Sequence, residues 1–437
     1  MIRIISAVCA FISLALPAVA EIDIEEVVSP GGITAWLVSE PSIPMVSIEI
    51  GFKGGSLTEP DDKLGSTYLM AGLLEEGAGD LDSVAFRQAA EALASSFSFD
   101  SSKENVLTGA QFLKENMDAS IDLWKLALTQ PSFDDTAFER TKAQVQSIVA
   151  RRAKTPNEIA GDAFSAVAYA GHPYARTYQG TLKTIGALTQ QDMRDAHRRS
   201  MTKDRMFIGV VGDITAAELG PVLDHLLGDL PETGPTMPNE ITFQAEGGVT
   251  VVDFNTPQSV AVWGHQGIAQ DDPDFFPAFV MNHIMGGSGF TSRLTSEVRE
   301  KRGLTYGIYS YLASMDFAQY YGGSVSSSND SIGEAIEIVK AEWARMAAEG
   351  VSAAELDAAK KYMTGNYPLR FDGNAKIAGL LRYSQMDNFP IDYPKKRNGY
   401  INAVTQEDIK RVAARLMRAD DLHFVVVGKP VGLTSAN

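Results

Sequence analysis

Two periodicities run through the chain. Val46 to Phe52 and Val249 to Phe254 largely alternate apolar with polar or small residues, the pattern of strands that lay one face on a core. Residues 65–95, 115–129, 134–152, 273–285, 331–349 and 353–364 instead repeat apolar positions every three or four residues, which predicts helices with one buried stripe. Strands come in sets, with runs of helix between them. That order predicts an α+β architecture of mostly antiparallel sheets backed by helices, not a regular βαβ alternation.

The same order is used twice. Residues 188–214 align without a gap on residues 404–430, at an offset of 216. Identities include Thr189/Thr405, Gln190/Gln406, Asp192/Asp408, Met201/Met417, Asp204/Asp420 and Gly212/Gly428. In each copy Thr is placed to cap a helix, Asp follows three residues on, and a β-branched strand ends in Gly. The helix pattern at 138–151 has an echo at 356–370, at an offset of 218. Two ordered matches at nearly equal offsets predict two homologous domains, 21–229 and 240–437. Their join falls in 230–239, LPETGPTMPN, which holds three Pro, one Gly and no hydrophobic period.

Composition sharpens this picture at the amino terminus. A chain of 437 residues with 45% apolar and 21% charged positions suits two globular domains. Residues 1–20 read as a secretory signal: Arg3, an apolar run from Ile4 to Leu16, and Ala18-Val19-Ala20 before Glu21. Ile4 to Ala20 is only 17 residues and contains Pro17, so no stable membrane insertion is expected after cleavage. Cys9 lies inside this segment and no other Cys exists, so the mature chain would have no disulfide and no thiolate ligand. An oxidising compartment such as a bacterial periplasm is the expected location. Without Arg3, 37 Lys+Arg face 55 Asp+Glu, a net charge of −18. Such a chain repels nucleic acid and anionic lipid.

One pair of residues carries candidate chemistry. Thr291 to Arg302 is helical by pattern, Gly303 suits the position after the helix, and Leu304 to Leu312 alternates as a strand. Arg299 then sits in the last helical turn, and Tyr306 near the start of a strand that shows Tyr306, Ile308 and Ser310 on one face. A tight turn between them can aim a guanidinium and a phenol into one space, where both are donors for a peptide carbonyl or a developing oxyanion. As isolated residues they would be a surface cation and a half-buried ring. Gly286-Gly287-Ser288-Gly289 follows a helix and lacks a Lys-Ser/Thr pair, so it predicts a loop or hinge rather than a phosphate cradle. The six His are scattered, with no two within five residues, which fits structural roles and no His-x₃-His metal pair.

Several of these segments resemble the M16 (pitrilysin/insulinase) metallopeptidases: 65–77, the helix before residue 152, the turn at His172-Pro173-Tyr174, the duplicated tail and the Arg299/Tyr306 segment. That family carries an inverted zinc motif, H-x-x-E-H, on a helix just before a Gly-containing loop. Counting back from Gly77, its positions fall here on Tyr68, Ala71 and Gly72, and the third-ligand region near Gln146 to Ile148 holds no acid. The resemblance therefore implies a chain that holds no metal or other cofactor itself. It resembles the short bacterial two-domain type that works as a heterodimer, in which one subunit keeps the zinc and the other keeps the Arg/Tyr pair. It implies a zinc-bearing M16 homologue as partner, a peptide substrate, and substrate contacts by Arg299 and Tyr306. Two other functions stay open: an autonomous zinc metalloendopeptidase with an unrecognised metal site, and a scaffold subunit derived from a protease.

Overall fold

A computed structural model of the chain describes residues 22–287 and 291–435. The signal segment predicted at 1–20, and Ser288 and Gly289 of the Gly-rich run, lie outside the described residues. The strands are β1 (Glu25–Val28), β2 (Thr34–Ser39), β3 (Met45–Lys53), β4 (Gly77–Ala78), β5 (Leu81–Asp82), β6 (Ser96–Ser101), β7 (Asn105–Leu113), β8 (Met206–Gly212), β9 (Gly248–Asp253), β10 (Gln258–Gln266), β11 (Ile308–Ser314), β12 (Gln319–Ser328) and β13 (His423–Gly428). The first-half helices are α1 (Ser66–Ala71), α2 (Ser83–Ala92), α3 (Met117–Thr129), α4 (Asp135–Arg152), α5 (Pro156–Ala168), α6 (Leu182–Ala187), α7 (Gln190–Ser200) and α8 (Ala216–Leu227). Those of the second half are α9 (Phe275–Gly286), α10 (Ile332–Glu349), α11 (Ala353–Gly365), α12 (Asn374–Met386), α13 (Tyr393–Ala403) and α14 (Gln406–Leu416).

The strands form two sheets, β1-β2-β8-β3-β7-β6 and β11-β12-β10-β13-β9, besides the small β4–β5 hairpin. Without β1, the first order maps onto the second strand for strand. Both sheets are mixed: β2–β8 and β13–β9 run parallel and the other pairs are antiparallel. The duplication predicted from 188–214 and 404–430 thus has a structural counterpart. Thr189 and Asp192 exchange side-chain and backbone hydrogen bonds as a capping box at α7, and Thr405 and Asp408 do the same at α14. Gly212 and Gly428 end the matching strands at φ +147° and +152°, and a Cβ on Gly212 would lie 2.2 Å from the Met45 carbonyl.

Each half has its own core, between one face of its sheet and the helices behind it. The other face is covered by exchange. Helix α12 of the second half lies on β3 and β8 of the first sheet, and α5 of the first half lies on β10 and β13 of the second. This explains the strict alternation in β3: Val46, Ile48, Ile50 and Phe52 enter the core, while Glu49 meets Arg382 of α12 at 2.8 Å. A polar cluster ties the halves further. Tyr174 donates to the Glu104 carboxylate and accepts the Phe317 N–H at 3.1 Å, Asp316 N–H donates to Glu104 at 2.7 Å, and Lys53 pairs with Asp316 at 2.7 Å.

Three expected elements differ. The helix expected over 65–95 breaks into α1 and α2, separated by the β4–β5 hairpin, because Gly77 and Gly79 take φ of +134° and +56°. The helix expected over 291–302 includes a π-helical stretch, Thr295–Glu300, in which the Lys301 N–H reaches back five residues to the Ser296 carbonyl at 3.0 Å. The strand expected from Leu304 starts only at Ile308. Thr305 holds the preceding loop by donating its hydroxyl to the Ser326 carbonyl at 2.6 Å and accepting the Gly307 N–H at 3.0 Å. Residues 231–247, which include most of the predicted join, form neither helix nor strand.

Candidate functional site

Helix α1 is where the resemblance places a zinc motif, and its surroundings are closed by other chemistry. It begins after Gly65, at φ +87°, over the buried carboxylate of Glu59. That carboxylate accepts the N–H groups of Gly65 at 2.8 Å and Thr67 at 2.6 Å, and the Ser66 hydroxyl at 3.3 Å. Burial pushes the Glu59 pKa up, against the pull of these N–H donors and of Arg199. An acid at a helix start is stabilised by the orphan N–H groups and the dipole. The Tyr68 ring meets Tyr178 edge to face at 5.7 Å, and Ala71 is buried. Gly72 ends the helix, and a Cβ there would lie 3.6 Å from the Thr141 methyl of α4. These three positions offer neither imidazole nor carboxylate, so the residues present do not fit zinc. Glu76 is engaged by Arg140. Among the described residues no group of three His, Cys, Asp or Glu side chains is placed to hold a metal ion.

The histidines have structural partners. His172 accepts the Tyr174 N–H at 3.1 Å, and His225 meets Asp122 at 2.6 Å. His423 lies 3.0 Å from the Thr250 hydroxyl, and His283 stacks on Tyr362 at 5.1 Å. His197 of α7 turns inward. Its Nε2 lies 2.8 Å from the Leu128 carbonyl, one of the orphan acceptors at the end of α3. His265 is buried in the second core, where Nε2 accepts the Trp343 indole N–H at 3.0 Å and Nδ1 lies 2.8 Å from the Gln266 carbonyl. Burial pushes its pKa down to about 4, which keeps the ring neutral.

Arg299 and Tyr306 reach the same cleft. Arg299 is the last but one residue of the π-helical stretch, Gly303 closes it at φ +65° with its N–H on the Arg299 carbonyl at 2.9 Å, and the loop then carries Tyr306 outward. Both side chains line a cleft of about 430 Å³ with Gln258, Thr305 and the serines Ser326 to Ser328. Tyr306 is 90% exposed, so it is a ring held out to solvent rather than the half-buried strand residue expected from alternation. Lys301 and Arg302 meet Glu297 at 2.6 and 2.9 Å, and these contacts hold the Glu297 carboxyl below its usual range. A planar donor fork and an exposed phenol at the mouth of a serine-lined cleft can bind a peptide backbone from two sides.

Residues 34–182 match the family model described as "Insulinase (Peptidase family M16)", and residues 187–363 match "Peptidase M16 inactive domain". The chain is 24% identical to the "Non-peptidase homolog YmxG" of Helicobacter pylori over 387 residues, covering 88% of this chain and 89% of that one. It is 23% identical to the "Probable mitochondrial-processing peptidase subunit beta" of Schizosaccharomyces pombe over 419 residues, covering 93% and 91%. Its fold is similar to a crystal structure of a peptidase M16 inactive domain from Pseudomonas fluorescens, at a TM-score of 0.87 and 24% identity, covering 95% of this chain and 100% of that one. By the two family models, which between them take in most of both halves, the chain belongs to the M16 peptidase family.

Proposed function

We propose that this chain is a non-catalytic, substrate-binding subunit that completes the active site of a zinc-bearing M16 homologue, acting in the periplasm after its signal segment is cleaved. The observation that carries the reading is the contrast between the two candidate sites. Tyr68, Ala71 and Gly72 stand where a zinc motif would be, while Arg299 and Tyr306 line one open cleft. A similar protein is named a non-peptidase homologue, which supports a chain without peptidase activity of its own, and another a peptidase subunit, which supports a place in an assembly. In this role the Arg299 guanidinium and the Tyr306 hydroxyl donate to carbonyl oxygens of a bound peptide and fix it for attack in the partner's site. Donors aimed at a developing oxyanion are worth far more once the partner's surface excludes water from the cleft.

Co-expression with a secreted homologue that carries H-x-x-E-H tests the reading. The pair is expected to elute as one heterodimer by size exclusion and light scattering, burying well over ~1,000 Å². The complex is expected to cleave peptides, and this chain alone is expected to cleave none and to hold no stoichiometric zinc. Separate folded monomers, or one tightly held zinc per isolated chain, would overturn it.

A further inference from the structure

The exchanged helix α5 does not seal the sheet it covers. Its residues Asn157, Gly161 and Ser165 fall four apart on one face, and all three are small or uncharged. A Cβ built on Gly161 would meet nothing within 4 Å. Opposite this lane stand Tyr309 and Tyr311 of β11 and Tyr320 of β12, and the space between measures about 340 Å³. Protein interiors normally close such gaps. A volume of this size with ring walls and a few polar groups is within the range of ligand sites.

The walls say what fits. No charged side chain lines the trough itself, and Lys103 behind Ser165 is held by the Ser165 hydroxyl at 3.2 Å and the Tyr174 carbonyl at 2.7 Å, so a carboxylate entering the trough would lose water and meet mainly rings and hydroxyls. Tyr309 and Tyr311 lie 6.1 Å apart and tilted by 30°, while Tyr311 and Tyr320 meet edge to face at 5.6 Å, their hydroxyls joined by a 3.0 Å hydrogen bond. Tyr309 is half exposed, so its ring has a free flank for another aromatic group at the usual 4.5–7 Å spacing, within about that range. The trough adjoins the Arg299/Tyr306 cleft. Ser326 lines both, and Gly307 of the trough follows Tyr306 directly in the chain. β11 lies at the edge of its sheet, paired only with β12, so an extended chain can lie along it.

We propose that the trough between α5 and the tyrosine face of β11 is a specificity pocket for an aromatic side chain of an extended peptide, a few residues along from the segment held by Arg299 and Tyr306. The proposal rests on the reading of that cleft as a peptide site. It adds what the peptide must carry. Neutral ring residues are selected by stacking on the tyrosines and by the serine and asparagine rim, and a carboxylate gains nothing from the ring faces.

The whole mature chain, titrated by fluorescence anisotropy, tests this. The probe is a fluorescein-labelled heptapeptide of Ala and Ser with one central Phe, compared with twins carrying Leu, Asp or Lys at that place. The Phe peptide is expected to bind about tenfold or more tightly than the Asp twin. Gly161→Leu fills the lane from a position with room for it, and should level the four affinities while leaving the melting temperature unchanged or raised. Tyr309→Ala should level them too. No preference for Phe in the wild-type chain, or a preference that survives Gly161→Leu, would overturn the pocket. Arg299→Ala separates the two readings, because it should weaken all four peptides together. If it has no effect while Gly161→Leu still levels them, the pocket stands and the grip assigned to Arg299 falls.

Discussion

Helices α12 and α5 are exchanged between the halves in the same way, yet they meet their sheets on different terms. Under α12 the first sheet is flush: a Cβ on Gly209 would sit 2.1 Å from the Ala378 carbonyl, and one on Gly51 would sit 2.6 Å from the Met386 sulfur. Glu49, which faces α12 from β3, is paired with Arg382. Under α5 the contact is aromatic at one end, with Phe164 5.5 Å from Tyr320 and 5.7 Å from Phe243, and open at the other beside Gly161. A duplicated fold has thus filled one sheet face and left a cavity on the other. The filled face belongs to the half that carries Tyr68, Ala71 and Gly72, and the open one to the half that carries Arg299 and Tyr306.

The largest effect should come from breaking the filled face. Glu49 and Arg382 each keep only 20% and 15% of their side chains exposed, and burial raises the Glu49 pKa while Arg382 lowers it. Arg382→Ala strands a half-dehydrated carboxylate and is expected to cost about 3 kcal/mol by chemical denaturation. Because the carboxylate's pKa would rise further, the loss should shrink as pH falls and Glu49 takes up its proton. Glu49→Leu with Arg382→Met should recover most of the stability. If the single change costs as little as a surface pair, the α12 seat does not depend on this contact.

Next in size are the cleft residues. In the complex with a zinc-bearing homologue, Arg299→Ala or Tyr306→Phe should lower turnover by roughly ten- to a thousandfold with folding and assembly intact. Arg302→Ala, three residues along and paired with Glu297, should change it little. Equal small effects from all three would remove the distinction drawn between the two halves.

The cores of the halves differ in a way that pH can expose. Trp124 donates its indole N–H to Thr108 at 3.1 Å, whereas Trp343 donates to His265. Only the second acceptor titrates. The His265 pKa is depressed from the ordinary 6.5 to about 4, so the unfolded chain binds more protons than the folded one between those values. Its contribution to stability is present above pH 6.5 and is lost as pH falls toward 4, by about 3 kcal/mol. His265→Gln should lower stability at neutral pH and flatten this slope, followed by urea denaturation at a series of pH values. An unchanged slope would place the acid sensitivity elsewhere.

Much of this organisation was legible in the sequence, for physical reasons. Capping Thr and strand-ending Gly act locally, so Thr189/Thr405 and Gly212/Gly428 announced the repeated unit. The bounds of α3, α4, α10 and α11 followed from their apolar stripes, whose spacing does not depend on what they pack against. The helix exchange was not legible, because periodicity reports that a face is buried and not which half covers it. The split of 65–95 was missed although Gly77 and Gly79 were visible, since the apolar period continued across them. Glu59 was missed as well. Nothing in its neighbourhood marks it, and its role arises from a fold that brings it under α1. The position of Tyr306 was misread because alternation from Leu304 fits a strand, while the Thr305 hydroxyl captures the Ser326 carbonyl before the ladder begins.

The smallest effect is the most direct check on the open lane. Gly161 lies in the interior of α5 with nothing within 4 Å of where its Cβ would be, whereas Gly209 lies directly beneath the Ala378 carbonyl. Gly161→Ala keeps the packing and removes the entropic handicap of glycine in a helix, so it should raise stability by about 1 kcal/mol. Gly209→Ala makes the same chemical change where a Cβ at 2.1 Å from a carbonyl oxygen forces α12 to move, so it should destabilise. The two variants carry one added methyl each and should shift the melting temperature in opposite directions. Shifts of the same sign would mean that α5 and α12 are seated alike in solution, and that the lane beside Gly161 closes when the chain is free to relax.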